Sequence, residues 1–130
     1  MIETVLSVDI GTTSLKTALV TADGEVLSFY KSSYSAPQNR FVAEGWLWAL
    51  KGSIEKLLKS VQKDSVSIVA VSVSGNGPTL VSDSGFTIRW NEEVEKLMLM
   101  DENVTTKSLF LPKVATFKVL FPEEYENTEY

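Results

Sequence analysis

Residues 4–21 read Thr4-Val5-Leu6-Ser7-Val8-Asp9-Ile10, then Gly11-Thr12-Thr13-Ser14, then Leu15-Lys16-Thr17-Ala18-Leu19-Val20-Thr21. The outer segments are rich in β-branched and aliphatic residues, the composition of buried strands. Between them lie a glycine and three hydroxyl side chains, the composition of a tight turn. Thr4 to Ile10 and Leu15 to Thr21 therefore predict a hairpin. A second turn signal, Ala22-Asp23-Gly24-Glu25, leads into a third strand over Val26 to Tyr34. The three strands form an antiparallel meander.

Beyond the meander, Ser35 to Gly45 carries Pro37, Gln38 and Asn39 and reads as a loop. Trp46 to Lys63 predicts a helix, with Leu47, Leu50, Ile54, Leu57, Leu58 and Val61 on one face. Glu55 and Lys59 stand four apart, in the favourable order, on the other. Asp64-Ser65 ends it, and Val66 to Ser74 reads as a largely buried strand. A meander, a helix and then a buried strand give an α/β fold with a mixed sheet and a helical crossover. Gly75-Asn76-Gly77-Pro78 is a tight loop. Short strands are expected over Thr79 to Ser82 and Phe86 to Trp90, with Asp83-Ser84-Gly85 as their turn. Helical stretches are expected over Asn91 to Met100 and over Leu111 to Phe121, the latter with Pro112 in its first turn. Pro122-Glu123-Glu124 ends that helix or starts another.

Composition narrows the chemistry. The chain has 130 residues, is 44% apolar and carries a net charge of −5. It is long enough for one domain with a modest core. No basic patch is visible, which argues against nucleic acid and anionic membranes as partners. There is no cysteine and no histidine, so disulfides, thiolate or imidazole metal sites and imidazole acid–base chemistry are excluded. Catalysis would need carboxylates, hydroxyls, Lys or Arg, with a hard cation such as Mg²⁺. The start Met1-Ile2-Glu3 runs directly into a strand pattern, and the apolar run Val66 to Val73 is too short to span a bilayer, so a cytoplasmic location is expected.

The segment Asp9 to Lys16 is where chemistry concentrates. Gly11 permits a tight turn and close approach of a ligand to the backbone. Thr12, Thr13 and Ser14 set hydroxyls beside consecutive backbone N–H groups, a combination that suits an anion. Asp9 ends a buried strand, where a carboxylate needs a partner, and Mg²⁺ shared with a phosphate is one. Lys16 either adds charge toward a phosphate or faces solvent. The segment is neither a Walker A loop nor a dinucleotide fingerprint. Taken alone, it equally suits a polar hairpin with Asp9 bonded to backbone N–H groups.

Four motifs in order decide between these readings. Asp9-Ile10-Gly11-Thr12-Thr13-Ser14 resembles the first phosphate motif of the actin-like (ribonuclease H-like) ATPase fold. Ser74-Gly75-Asn76-Gly77 resembles the Ser-Gly-Gln-Gly loop of the FGGY carbohydrate kinases, the family of xylulokinase, gluconokinase and glycerol kinase. Trp90-Asn91 is similar to that family's Trp-Asn-Asp segment, and Leu111-Pro112-Lys113 to the start of its first signature. The resemblance covers nearly the whole chain. It implies an ATP- and Mg²⁺-dependent transfer of a phosphoryl group to a sugar or polyol hydroxyl. It also implies that residues 1–130 form a truncated N-terminal domain, with the C-terminal domain absent.

Carried over by position, the resemblance puts Asp9 near Mg²⁺ and the transferred phosphoryl group. Gly11, Thr12, Thr13, Ser14 and Lys16 then line the phosphates. Asn76, Gly77 and Pro78 border the sugar pocket, Trp90 packs on the apolar face of a sugar, and Asn91 meets a hydroxyl. Against this, an Asn beside Gly is often a turn former and a Trp is often core. Asn76 stands where the family has Gln, Glu92 and Glu93 where it tends to have Asp and Arg, and no Trp follows Lys113 closely. No residue is assigned as catalytic base. The alternative is a non-catalytic relic of the same fold that binds a sugar or a partner. Surfaces left bare by truncation would favour self-association or pairing with a C-terminal portion.

Overall fold

The computed structural model describes residues 1–34, 41–75, 77–92 and 110–129. Contacts divide the chain into two units, Met1–Pro37 with Glu44–Asn76 and Gln38–Ala43 with Gly77–Tyr130.

The first unit is the expected meander with a parallel strand added. Strands β1 (Ile2–Ile10), β2 (Ser14–Thr21) and β3 (Val26–Ser33) pair antiparallel in sequence. Helix α1 (Val42–Ser60) and a single 3-10 turn at Lys63–Ser65 lead to β4 (Val66–Gly75), which lies parallel to β1. The sheet order is β3-β2-β1-β4. Alternation along the strands turns Leu6, Val8, Leu15 and Leu19 to one face, where they form a buried core with Leu57 of α1 and Val66. Each such side chain, fully buried, contributes roughly 1.5–3 kcal/mol. Glu44 in the first turn of α1 and Lys59 in its last complement the helix dipole. At the β2–β3 turn, Gly24 adopts φ +88°, and its N–H donates to the Thr21 carbonyl at 3.0 Å.

Three expectations fail here: the helix starts at Val42, inside the expected loop, and ends at Ser60 rather than Lys63, and two more concern burial. Leu47 was placed on the buried helix face but is 66% exposed, with Trp48 beside it at 75%. The helix meets the core under the sheet through Ala49, Leu50, Ile54, Leu57, Leu58 and Val61, and Val42 at its start is also buried. Its apolar stripe therefore outruns the surface it covers. In β4, only Val66 is buried, while Val69, Val71 and Val73 are 57%, 59% and 63% exposed. Among the described residues β4 is an edge strand. A register shift opposite Thr4 and Val5 then sets Val71 beside Leu6 and Val73 beside Val8. Paired neighbours share a sheet face, so these valines extend the core face past the end of its cover.

The second unit is built on aromatic rings. Strands β5 (Leu80–Val81) and β6 (Thr87–Ile88) pair antiparallel. Both are shorter than expected, because the turn between them takes in Ser82 and Phe86. The Ser82 N–H donates to the Phe86 carbonyl at 2.9 Å, and the Phe86 N–H donates to Ser82 Oγ at 3.1 Å. Helix α2 (Leu111–Leu120) carries Pro112 in its first turn as expected, and α3 (Pro122–Glu126) follows. Leu80, Phe86, Ile88 and Phe117 form the buried core, with Val114, Phe121 and Tyr125 against it. The Phe86 ring lies 5.2 Å from Phe117 and 4.7 Å from Phe121, within the range of favourable ring contacts. The helix expected over Asn91 to Met100 lies outside the described residues from position 93 on, and Asn91 itself sits in a turn.

Candidate functional site

The β1–β2 turn carries the expected phosphate residues, and backbone bonds hold it. The Gly11 N–H donates to the Ser14 carbonyl at 2.9 Å. A Cβ on Gly11 would stand 2.7 Å from that same oxygen, so glycine is required by contact. Thr12 and Thr13 are exposed, whereas Ser14 is buried at the start of β2. Of the three hydroxyl residues, Thr12 and Thr13 thus present themselves to a ligand.

Asp9 is not the buried carboxylate that its strand position suggested. Its side chain is 47% exposed and accepts a hydrogen bond from Lys16 Nζ at 2.9 Å, Lys16 being its cross-strand partner. Between half-exposed groups such a pair is worth about 0–1 kcal/mol. A phosphate-bound cation can displace it.

Tyr34 was missed in the sequence, where it reads only as the end of β3. Its hydroxyl donates to the Gly11 carbonyl and its N–H donates to the Thr13 carbonyl at 3.1 Å. Burial, and then the negative charge of Asp9, push the phenol above its ordinary pKa of 10.0. The signal was topological, since an aromatic ending the third strand of a meander lands beside the first turn.

The donor set fits a nucleotide phosphate and a magnesium ion. Among the described residues no three His, Cys, Asp or Glu side chains gather as metal ligands. Mg²⁺ commonly takes one or two carboxylates and completes its shell with phosphate oxygens and water. Asp9 beside exposed Thr12 and Thr13 meets that demand.

Asn76 lies outside the described residues; in the second unit, Gly77 is exposed and Pro78 is half-buried. Trp90 is 45% exposed and Asn91 is exposed, so neither is core. Both sit in a turn over Arg89–Glu92, where the Glu92 N–H donates to the Arg89 carbonyl at 3.2 Å. Side chains fasten this turn. Glu92 Oε1 accepts from the Arg89 N–H at 2.9 Å, and Thr79 Oγ1 accepts from the Trp90 N–H at 3.1 Å. Lys113, only 3% exposed, donates from Nζ to the carbonyls of Arg89 at 2.7 Å and Glu92 at 3.3 Å. Burial lowers the pKa of its ammonium, and the Glu92 charge works in the opposite sense. A groove of about 480 Å³ in the same unit is lined by apolar residues including Leu80, Phe110, Val114, Phe117 and Tyr125, and by none of the residues named above.

No family model matches the chain. A curated xylulose kinase from Staphylococcus xylosus is 26% identical over 146 residues, covering 95% of this chain and 30% of that protein. Among solved structures, gluconate kinase from Lactobacillus acidophilus superposes with a TM-score of 0.74 at 16% identity, covering 98% of this chain and 30% of its own. Plasmodium falciparum glycerol kinase with ADP gives 0.75 at 16% identity, covering 96% and 30%. A xylulose kinase from Brucella ovis gives 0.74 at 18% identity, covering 95% and 30%. The chain thus spans about 30% of the length of these proteins. Its fold is the actin-like fold of their first part. The chain is thus similar in sequence to a xylulose kinase and in fold to part of gluconate, xylulose and glycerol kinases.

Proposed function

We propose that this chain supplies the N-terminal portion of an ATP-dependent carbohydrate kinase, which passes the γ-phosphoryl group to a sugar or polyol hydroxyl. The observation that carries the reading is the β1–β2 turn, which follows the half-exposed Asp9 at the end of β1, exposes Thr12 and Thr13, and has no room for a Cβ at Gly11. In this reading Gly11 lets phosphate oxygens approach the backbone, and Thr12 and Thr13 bind them. Ser14 closes the turn from below, and Lys16 holds Asp9 until a metal-bound nucleotide arrives. Bound Mg²⁺ supplies charge neutralisation at the phosphates. Gly77, Pro78, Trp90 and Asn91, with Asn76, border the sugar. The catalytic base and most nucleotide contacts belong to the remaining length of a kinase of this type, and a cytoplasmic location suits such an enzyme. Among the described residues no helix is long and apolar enough to cross a membrane.

Complementation tests this. The chain is combined with the remaining portion of a related xylulose kinase, and ADP formation is followed across a panel of sugars. Sugar-dependent ADP formation is expected, falling about 100-fold or more in Asp9→Asn, the scale for losing one group that stabilises developing charge. No turnover with any sugar, together with retained sugar binding, would favour the second reading, a binding module of the same fold that transfers nothing. Two observations lean that way. Asp9 is already ion-paired, and β4 offers bare valines to a partner chain or a second copy. Light scattering at high concentration checks the latter, and a clean monomer would count against self-association.

A further inference from the structure

The Arg89–Glu92 turn displays two exposed residues, Trp90 and Asn91, on a four-residue stretch outside any helix or strand. Such a stretch has no ladder to define it. What defines it here converges from outside, and one contribution is unusual. Lysine is seldom fully buried without a partner. Lys113 is buried, and its amino group faces two backbone carbonyls, those of Arg89 and Glu92. These carbonyls bracket Trp90 and Asn91. The stem of Lys113 rises from the first turn of α2, whose ring Phe117 is locked into the aromatic core.

We infer that Lys113 is the positioning residue of the Trp90–Asn91 turn, fastening it to α2 through the carbonyls on either side. Its two bonds span the turn as a clasp would, so the exposed pair is oriented by a side chain that no ligand needs to touch. Glu92 adds the complementary bond to the Arg89 N–H. Family members tend to have Asp and Arg at positions 92 and 93, and this chain has Glu at both. The Lys113 clasp bonds main-chain carbonyls rather than either of these side chains. The inference rests on the proposed function only in taking Trp90 and Asn91 as sugar-facing. The clasp itself rests on geometry.

The test uses the 130-residue chain and two separate readouts. The first is amide hydrogen exchange at Glu92, whose N–H closes the turn, compared with Phe121, whose N–H bonds the Phe117 carbonyl at 3.0 Å at the end of α2. In Lys113→Met, exchange at Glu92 should rise about 10-fold or more while Phe121 changes less than about two-fold, the pattern of local opening. Should Lys113→Met fail to fold, Lys113→Gln carries the same comparison. The chain has no cysteine, so Lys113→Cys can be alkylated with 2-bromoethylamine in denaturant and refolded. The new side chain ends in an amine close to where Nζ stood, and Glu92 protection should return. Unchanged exchange at Glu92 in a folded Lys113→Met would overturn the inference, as would failure of the aminoethyl side chain to restore it. The second readout is binding of xylitol and glycerol, followed by Trp90 emission with Trp46 and Trp48 replaced by Phe. Binding about 10-fold weaker in Lys113→Met, restored by aminoethylation, supports the inference and the proposed function together. If the parent chain binds no polyol while the exchange result holds, the sugar-facing reading falls and the clasp stands.

Discussion

The two candidate turns of this molecule differ in how far main chain and side chains hold them. The Gly11–Ser14 turn is held by main chain, through the Gly11 N–H on the Ser14 carbonyl, the Tyr34 N–H on the Thr13 carbonyl, and a β1–β2 ladder running to Ile10 and Leu15. The Arg89–Glu92 turn has one main-chain bond, the Glu92 N–H on the Arg89 carbonyl, and otherwise depends on the side chains of Lys113, Glu92 and Thr79. A turn fixed by main chain can exchange most of its side chains and keep its shape, provided glycine stays where a Cβ cannot fit. A turn fixed by side chains keeps its shape only while those identities remain. The first suits a ligand that is always the same, such as a phosphate.

The largest effect that sharpens this contrast is expected from Phe117→Ala. It removes the ring that seats α2, and hence Lys113, at a cost of about 3–5 kcal/mol. Urea denaturation followed at Trp90 should show it, and a loss below about 1 kcal/mol would mean α2 is not what anchors the turn. Next comes Gly11→Ala, which places a methyl group 2.7 Å from the Ser14 carbonyl. About 1–3 kcal/mol should be lost, on the scale of overpacking, while Gly77→Ala, which meets nothing within 4 Å, should cost far less. Equal losses for the two alanines would show that the β1–β2 turn yields freely.

Tyr34→Phe deletes the hydroxyl bond to Gly11 but keeps the Tyr34 N–H bond, so about 1 kcal/mol should go. Burial of the same phenol near the charge of Asp9 predicts a pH dependence. The folded state raises the phenol above 10.0, so this stabilisation is complete below the unfolded value and vanishes as pH climbs through the folded one. Denaturation midpoints measured across that alkaline window should fall more steeply for the parent chain than for Tyr34→Phe. The smallest change is expected from Thr12→Ala, within about 0.5 kcal/mol in stability because the side chain is exposed. Under the proposed function it should still weaken nucleotide binding in the complemented enzyme, as titration with ATP and Mg²⁺ would reveal.

Legibility in the sequence followed the same division. The meander, the helical crossover and the start of α2 were readable because alternation, helical spacing, Gly24 and Pro112 are local signals. The β1–β2 turn was readable for the same reason. Burial was less so. Val66 to Val73 has the composition of a covered strand, but composition does not say where its cover ends. The roles of Tyr34 and Lys113 were hidden because each bonds to main chain distant in sequence, and a carbonyl carries no residue identity to search for. Lys113 was noticed only as one letter of a motif.

The parallel pairing of β1 with β4 also has a consequence in time. β1, β2 and β3 meet across short turns, so the meander can assemble as soon as Ser33 has been made. The pairing of Ile2 with Val66 must wait for the whole of α1, and closing so long a loop is slow compared with closing a hairpin. During synthesis the outer edge of β1 is therefore unpaired for as long as the ribosome needs to extend the chain from Ser33 to Gly75. The edge left open in that interval belongs to β1, the strand that ends Asp9-Ile10.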